Sequence, residues 1–179
     1  GHLTDAMRVE EGGSVSLDCY VHPRAEPEIA FLLGAPLSGE VSLVEAMAAV
    51  EAVAPAVEII DSRYQDFQFA LGDVIADNSS SSGFVVGDWC DPTIDMSNLG
   101  IVLEADGRVV QTGSSAAILG NPVRALVAGA RMVSKWAETL QAGDIVLAGA
   151  ATAAHHLQPG MAIRAVVQNM GCAGFQVTG

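Results

Sequence analysis

The ten residues RAEPEIAFLL, positions 24–33, limit more than any other stretch what this chain can become. Apart from Arg24, Glu26 and Glu28, every side chain in the run is apolar. A short apolar run of this kind predicts a buried strand, placed here at 25–33. Side chains alternate along a strand, so Arg24, Glu26 and Glu28 share one face and Ala25, Pro27 and Ile29 the other. Pro27 has no N–H to give to a ladder, which predicts a sheet edge or a bulge, places that often border active sites. Two carboxylates side by side in a dry setting repel, and one takes up a proton unless a cation lies between them. Glu58, inside the apolar stretch PAVEIID, poses the same problem, because an unpartnered carboxylate among apolar residues is costly.

Further strands are expected at 15–21, 56–61, 83–87, 99–105, 108–112, 144–149, 162–169 and 173–177. Asp106–Gly107 between two of them tolerates the positive φ that a tight hairpin needs. Two helices are expected. Ser42 with Glu45 three residues on forms a capping box for a helix over 42–53. Asn121 followed by Pro122 opens the second, over 121–140, with Leu126, Ala130 and Val133 on one stripe. Strands outnumber helices and do not alternate with them, as a doubly wound sheet demands. The expected class is α+β, a mixed, rolled β-sheet with a few helices, in one domain.

The 21 acidic residues outweigh 8 basic ones for a formal charge of −13, which argues against a nucleic-acid partner. Lys135 is the sole lysine, so a small anionic substrate would need an arginine or a metal as its positive centre. Apolar runs end well short of the roughly 20 residues of a membrane span. Cys19, Cys90 and Cys172 are odd in number and far apart, which fits neither a disulfide framework nor a zinc site. No secretory signal opens the chain, and the cytoplasm is the expected compartment. Trp89, Trp136 and the methionines are expected to pack in the interior.

On these residues two readings of the acids stand. Glu26, Glu28 and Glu58 could form the oxygen-rich shell that Mg²⁺ or Mn²⁺ prefers. Alternatively Glu26 pairs with Arg24 or Arg63 while Glu28 faces water. Glu-x-Glu is common on strands, so spacing alone favours the ion pairs.

Seven phrases follow one another along the chain: GHLTDAM, PRAEPEIAFLLG, PAVEIIDSRYQDFQF, DVIADNSSSSGFVVG, GSSAAILGNPVRAL, AGDIVLAGA and LQPGMAIRAVVQNMG. Their order resembles the dienoate hydratase and oxalocrotonate decarboxylase group of the fumarylacetoacetate hydrolase superfamily, over essentially the whole chain. The resemblance implies a mixed β-roll, a Mg²⁺ or Mn²⁺ ion on Glu26, Glu28 and Glu58, and lyase chemistry on a small 2-oxo or dienol dicarboxylate. The aromatic spacing of Tyr64, Phe67 and Phe69 leans toward decarboxylation of 2-oxo-3-hexenedioate, with hydration of 2-hydroxypenta-2,4-dienoate as the alternative. Members of this group carry an upstream segment with an active-site lysine. The expectation is therefore a single metal-binding domain over 1–179 that lacks that segment and binds metal without turning over alone.

The resemblance also suggests roles for other residues. Asp5 and Asp77 are candidate catalytic residues, Asp5 to orient a water or a proton and Asp77 to hydrogen-bond the substrate carboxylate or a metal-bound water, against an ordinary surface Asp and a turn-forming Asx. Asn78 and Thr152 are candidate substrate ligands, Thr152 on a small-residue loop whose N–H groups could receive a carboxylate. Arg63 is a candidate for the extra carboxylate, with Arg24 as a substitute, against an ion pair with Asp61 or Asp66. His155 and His156 fall in a stretch that varies in such proteins and are left outside the site. A C–C hydrolase of acylpyruvates, with His22 as its base, and a non-catalytic partner subunit are the competing classes. A homo-oligomer, or a complex with the paired hydratase or decarboxylase, is the expected assembly.

Overall fold

The computed structural model describes residues 1–179. Its longest strands are β3 (Arg24–Leu33) and β4 (Val50–Ile60), which run antiparallel with Glu26 opposite Glu58 and Glu28 opposite Ala56. β5 (Ser81–Val86) pairs with the other edge of β4 and sets Phe84 opposite Glu58. β1 (Arg8–Val9) adds to β5 in parallel. β8 (Ile145–Leu147) and β9 (His155–His156) both pair with β3, at its two ends. This first sheet has the order β1-β5-β4-β3-β8, with β9 also on β3.

The second sheet contains β2 (Ser14–Ser16), β6 (Gly100–Ala105), β7 (Arg108–Ser114), β10 (Ala162–Val167) and β11 (Gly171–Thr178) in the order β2-β11-β10-β6-β7. β2 joins β11 in parallel and the remaining pairs are antiparallel, so both sheets are mixed, as the α+β roll requires. Asp106 and Gly107 both take positive φ, 53° and 72°, in the turn between β6 and β7.

Alternation on β3 and β4 decides where the core lies. Ala25, Val57 and Ile59 pack inward with Val85 against Leu103, Ile163, Ala165, Ala173 and Phe175 of the second sheet. Further along, Ile29, Phe31, Leu33 and Val53 meet α1 (Leu43–Ala48) and α3 (Val123–Ser134) through Ala46, Leu126 and Ala130. The opposite face of the first sheet carries the carboxylates and a small apolar group, Ala30, Ala54, Ala56, Phe84 and Val86, bordered by Leu3 and Met7.

Four local expectations change. The Ser42–Glu45 capping box forms, but α1 ends at Ala48 and the chain is strand from Val50. Pairing of β4 along nearly all of β3, with Val50, Val53 and Val57 turned inward, outweighs the helix propensity of the alanines. The segment expected as a strand over 15–21 leaves the sheet after Ser16, whose Oγ accepts from Asp18 N at 3.3 Å to cap a 3₁₀ turn at Leu17–Cys19. α3 stops at Ser134, with Ala137 left-handed just beyond, so Trp136 is 79% exposed and not a packing residue. α2 (Leu71–Ala76) was not expected; Leu71 and Ile75 are exposed, so it has no buried stripe for periodicity to reveal.

Pro27 is also not at a sheet edge. β3 is an interior strand, yet Pro27 faces the gap between β8 and β9, where the chain bulges away as the loop 148–154. Its carbonyl accepts from Ala151 N at 3.0 Å, and no partner there needs the N–H that proline lacks.

Candidate metal centre

Three carboxylates meet on the outer face of β3 and β4. One oxygen each from Glu26, Glu28 and Glu58 lies within 4.8 Å of the others. Register alone brings this about: Glu26 and Glu58 are direct cross-strand partners, and Glu28 is the next residue on the same face. Alanines at 30, 54 and 56 leave space above the sheet, while Phe84 and Val86 line it with apolar surface.

Glu28 is 1% exposed. Its Oε2 accepts from Gly149 N at 2.7 Å, the one backbone donor that reaches it. Gly149 holds φ at 102°, a left-handed conformation suited to glycine, and thereby turns its N–H toward β3. Nearby, Gly113 of β7 lets the same loop pass, since a Cβ there would run into the Ala151 carbonyl.

This crowding is visible in the protonation equilibria. Burial, then the Glu58 charge, raise the Glu26 carboxyl to about 7, partly offset by Arg24. Burial and then the charge of Glu58 push Glu28 well above the usual carboxylate range; the Gly149 N–H opposes this and Glu26 adds to it. None of the three acids is in an ion pair: the ion pairs in the protein are Arg63–Asp77 and Arg164–Glu104, and Arg24 offsets Glu26 only in part. A crowded, half-buried to buried carboxylate trio with no ion-pair partner suits a hard divalent cation, which takes oxygen ligands.

The sign of the pH dependence follows. In the metal-free protein the neutral forms of Glu26 and Glu28 are favoured by folding, so stability falls as pH rises from the usual carboxylate range toward about 7. A cation needs the ionised forms, so its binding should release protons at pH 6 and be weaker there than at pH 8. Calorimetric titrations with Mg²⁺ in buffers of different ionisation enthalpy measure both quantities. Equal affinity at the two pH values with no proton release would contradict the arrangement.

The remaining candidates are spread around this centre. Asp5 is exposed in a 3₁₀ turn, Asp5–Met7, whose Met7 packs on the carboxylate face. Asp77 is buried and engaged: it accepts from Arg63 N at 2.9 Å and Ser62 Oγ at 3.3 Å and forms an ion pair with the Arg63 guanidinium. Burial works to raise its carboxyl, but these hydrogen bonds and the Arg63 charge hold it below its ordinary value. Arg63 thus pairs with Asp77, and not with Asp61 or Asp66, while its side chain stays 74% exposed. Asp61 instead accepts from Val21 N and His22 N, both at 2.8 Å.

Asn78 brackets the N-terminal segment, accepting from His2 N at 2.7 Å and donating to His2 O at 3.0 Å. Thr152 donates to Ala153 O at 3.0 Å in the loop that carries Gly149. That loop does hand an N–H to a carboxylate, but the carboxylate is the protein's own Glu28. Sequence reasoning missed Gly149, whose contribution is a backbone N–H with no side-chain signature. It also set aside His156, which stands directly opposite Arg24 in β9. A concavity of about 460 Å³ between α1, residues 92–96 and the start of α3 is lined by none of the three acids.

The model of the fumarylacetoacetate hydrolase C-terminal family matches residues 5–178. The chain is 62% identical over 179 residues to a 4-oxalocrotonate decarboxylase of a Pseudomonas species, covering all of this chain and 70% of that protein. It is 34% identical over 183 residues to the 2-hydroxyhexa-2,4-dienoate hydratase of Comamonas testosteroni, covering 99% and 69%. Among solved structures, 4-oxalocrotonate decarboxylase from Pseudomonas putida G7, complexed with magnesium and adipate, superposes with a TM-score of 0.93 at 36% identity over 97% of this chain and 67% of that one. The chain thus spans about two thirds of the length of these relatives. With the expected roll and the family's match over nearly every residue, the chain belongs to the fumarylacetoacetate hydrolase C-terminal family.

Proposed function

We propose that this chain is the metal-binding domain of a divalent-metal-dependent lyase that decarboxylates 2-oxo-3-hexenedioate, or 4-oxalocrotonate. The observation that carries the reading is the trio Glu26, Glu28 and Glu58, with Glu28 fully buried and none of the three in an ion pair. The 62% identity to a decarboxylase so named supports the choice of reaction. Mg²⁺ or Mn²⁺ at the trio supplies Lewis-acid stabilisation of the negative charge that develops on the 2-oxo oxygen.

The protein's own groups do the rest. Glu26, Glu28 and Glu58 hold the ion, and Gly149 N–H fixes the rotamer of Glu28. Phe84 and Val86 keep the floor of the site apolar, which strengthens the electrostatic interactions above it. When the bond to the distal carboxylate breaks, its electron pair passes through the conjugated chain to the 2-oxo oxygen and CO₂ leaves. A proton must then return to carbon, and we assign that role to Asp5, in the turn whose Met7 borders this face. Asn78 holds the N-terminal segment through His2, and Asp77 fixes the Arg63 side chain, so both act by positioning. Thr152 shapes the loop above Glu28. No helix is long and apolar enough to cross a membrane, and we place the enzyme in the cytoplasm, assembled with further copies or with the paired hydratase.

The hydratase relative favours hydration of a dienoate as the second reading, since one metal site serves both reactions. Incubation of the Mg²⁺-loaded protein with 2-oxo-3-hexenedioate distinguishes the two. Release of CO₂ that requires metal and disappears in Glu58→Gln supports the decarboxylase; hydration of 2-hydroxypenta-2,4-dienoate without CO₂ release from the diacid assigns the hydratase instead.

A further inference from the structure

One basic cluster beside the metal centre has no partner within the protein. Arg24 begins β3 on the same face as Glu26, and its guanidinium lies 4.0 Å from the centroid of the Phe67 ring. His22 also packs on that ring, with centroids 4.8 Å apart, and His156 stands opposite Arg24 in β9. Arg24 forms neither of the protein's two ion pairs, and its Nε is buried without an acceptor. His22 Nε2 is buried and unpartnered as well. A guanidinium offers five N–H donors, and leaving the buried one at Nε unmet is expensive. Stacking on Phe67 fixes the plane of the fork but accepts none of those hydrogens.

Distance selects the ligand. Residues i and i+2 on a strand are about 7 Å apart, comparable to the span of an extended six-carbon chain. A 2-oxo diacid with its oxo end at Glu26 would lay its far carboxylate beside Arg24. Resting on the lyase function proposed above, we infer that Arg24, oriented by Phe67 and flanked by His22 and His156, binds the distal carboxylate and selects diacids over monoacids. Arg24 was a substitute for Arg63 on sequence grounds; Arg63 is taken by Asp77, and Arg24 is free.

Charge flows away from the distal carboxylate as CO₂ forms, so this contact is stronger before the transition state than in it. Its loss therefore raises KM without lowering kcat. The direct test is calorimetric binding of 2-oxoadipate and 2-oxohexanoate to Mg²⁺-saturated protein at pH 8. Wild type is expected to favour the diacid by about tenfold or more, the discrimination of one charge-assisted contact. Arg24→Met should weaken 2-oxoadipate alone and bring the ratio near one, and Arg24→Lys should restore part of it. Mg²⁺ binding by each variant serves as the control for folding. An unchanged ratio, or an equal fall for both probes, overturns the inference while leaving the metal lyase intact. If wild type with Mg²⁺ binds neither probe, the proposed function fails and the inference fails with it.

Discussion

Glu28→Gln is expected to abolish measurable Mg²⁺ binding while making the metal-free protein more stable. Both effects have one cause. Glu28 is the driest of three acids that crowd one another, and burial and the Glu58 charge already hold its carboxyl well above the usual range. An amide of the same shape removes one buried negative charge, keeps an acceptor for Gly149 N–H and supplies a donor toward Glu58. Relief of that repulsion at pH 8 is worth on the order of 1–3 kcal/mol, seen as a rise of a few degrees in Tm. Supporting groups around metal ligands already cost ten- to hundredfold when removed, so a ligand should cost more. Thermal melts with and without Mg²⁺ check the prediction: wild type rises on adding the ion, and the variant starts higher and does not move. A variant less stable than wild type without metal would show that Glu28 is a structural acid.

Phe31→Ala is expected to do the opposite. Phe31 lies on the inner face of β3, fully buried between Val53 and Val146. Truncation to Ala in such a setting costs about 3–5 kcal/mol through lost burial and the cavity left behind. For a chain of this size that lowers Tm by about 6–20 °C. Mg²⁺ affinity, measured well below the new Tm, should stay within a few-fold of wild type, because the carboxylates stand on the other face of the same strand. A collapse of affinity in the folded variant would mean that the two faces of β3 are not independent.

The features legible in the sequence are those set within a few residues. Alternation along 24–33 placed the acids together on one face, Ser42 and Glu45 formed their capping box, and Asp106–Gly107 made its turn. Features that depend on distant pairing were not legible. The helix expected over 42–53 gave way at Val50 because β3 supplies a neighbour that no local pattern announces. Pro27 suggested an edge, whereas β3 is flanked on both sides and only a gap between two short strands accommodates the ring. Asp77 as the partner of Arg63, Asn78 as a bracket for His2, and β9 with its histidines beside Arg24 all depend on contacts across the fold. The carboxylate trio was ambiguous for the same reason: spacing puts Glu26 next to Glu28, but the β3–β4 register brings Glu58 to them.

A crystal structure grown with Mn²⁺ and measured for anomalous scattering would test the metal centre most directly. The expected result is one strong peak shared by the carboxylates of Glu26, Glu28 and Glu58, with Gly149 N–H still on Glu28. A map with no peak there, and the three acids paired with arginines or turned to water, would contradict the account.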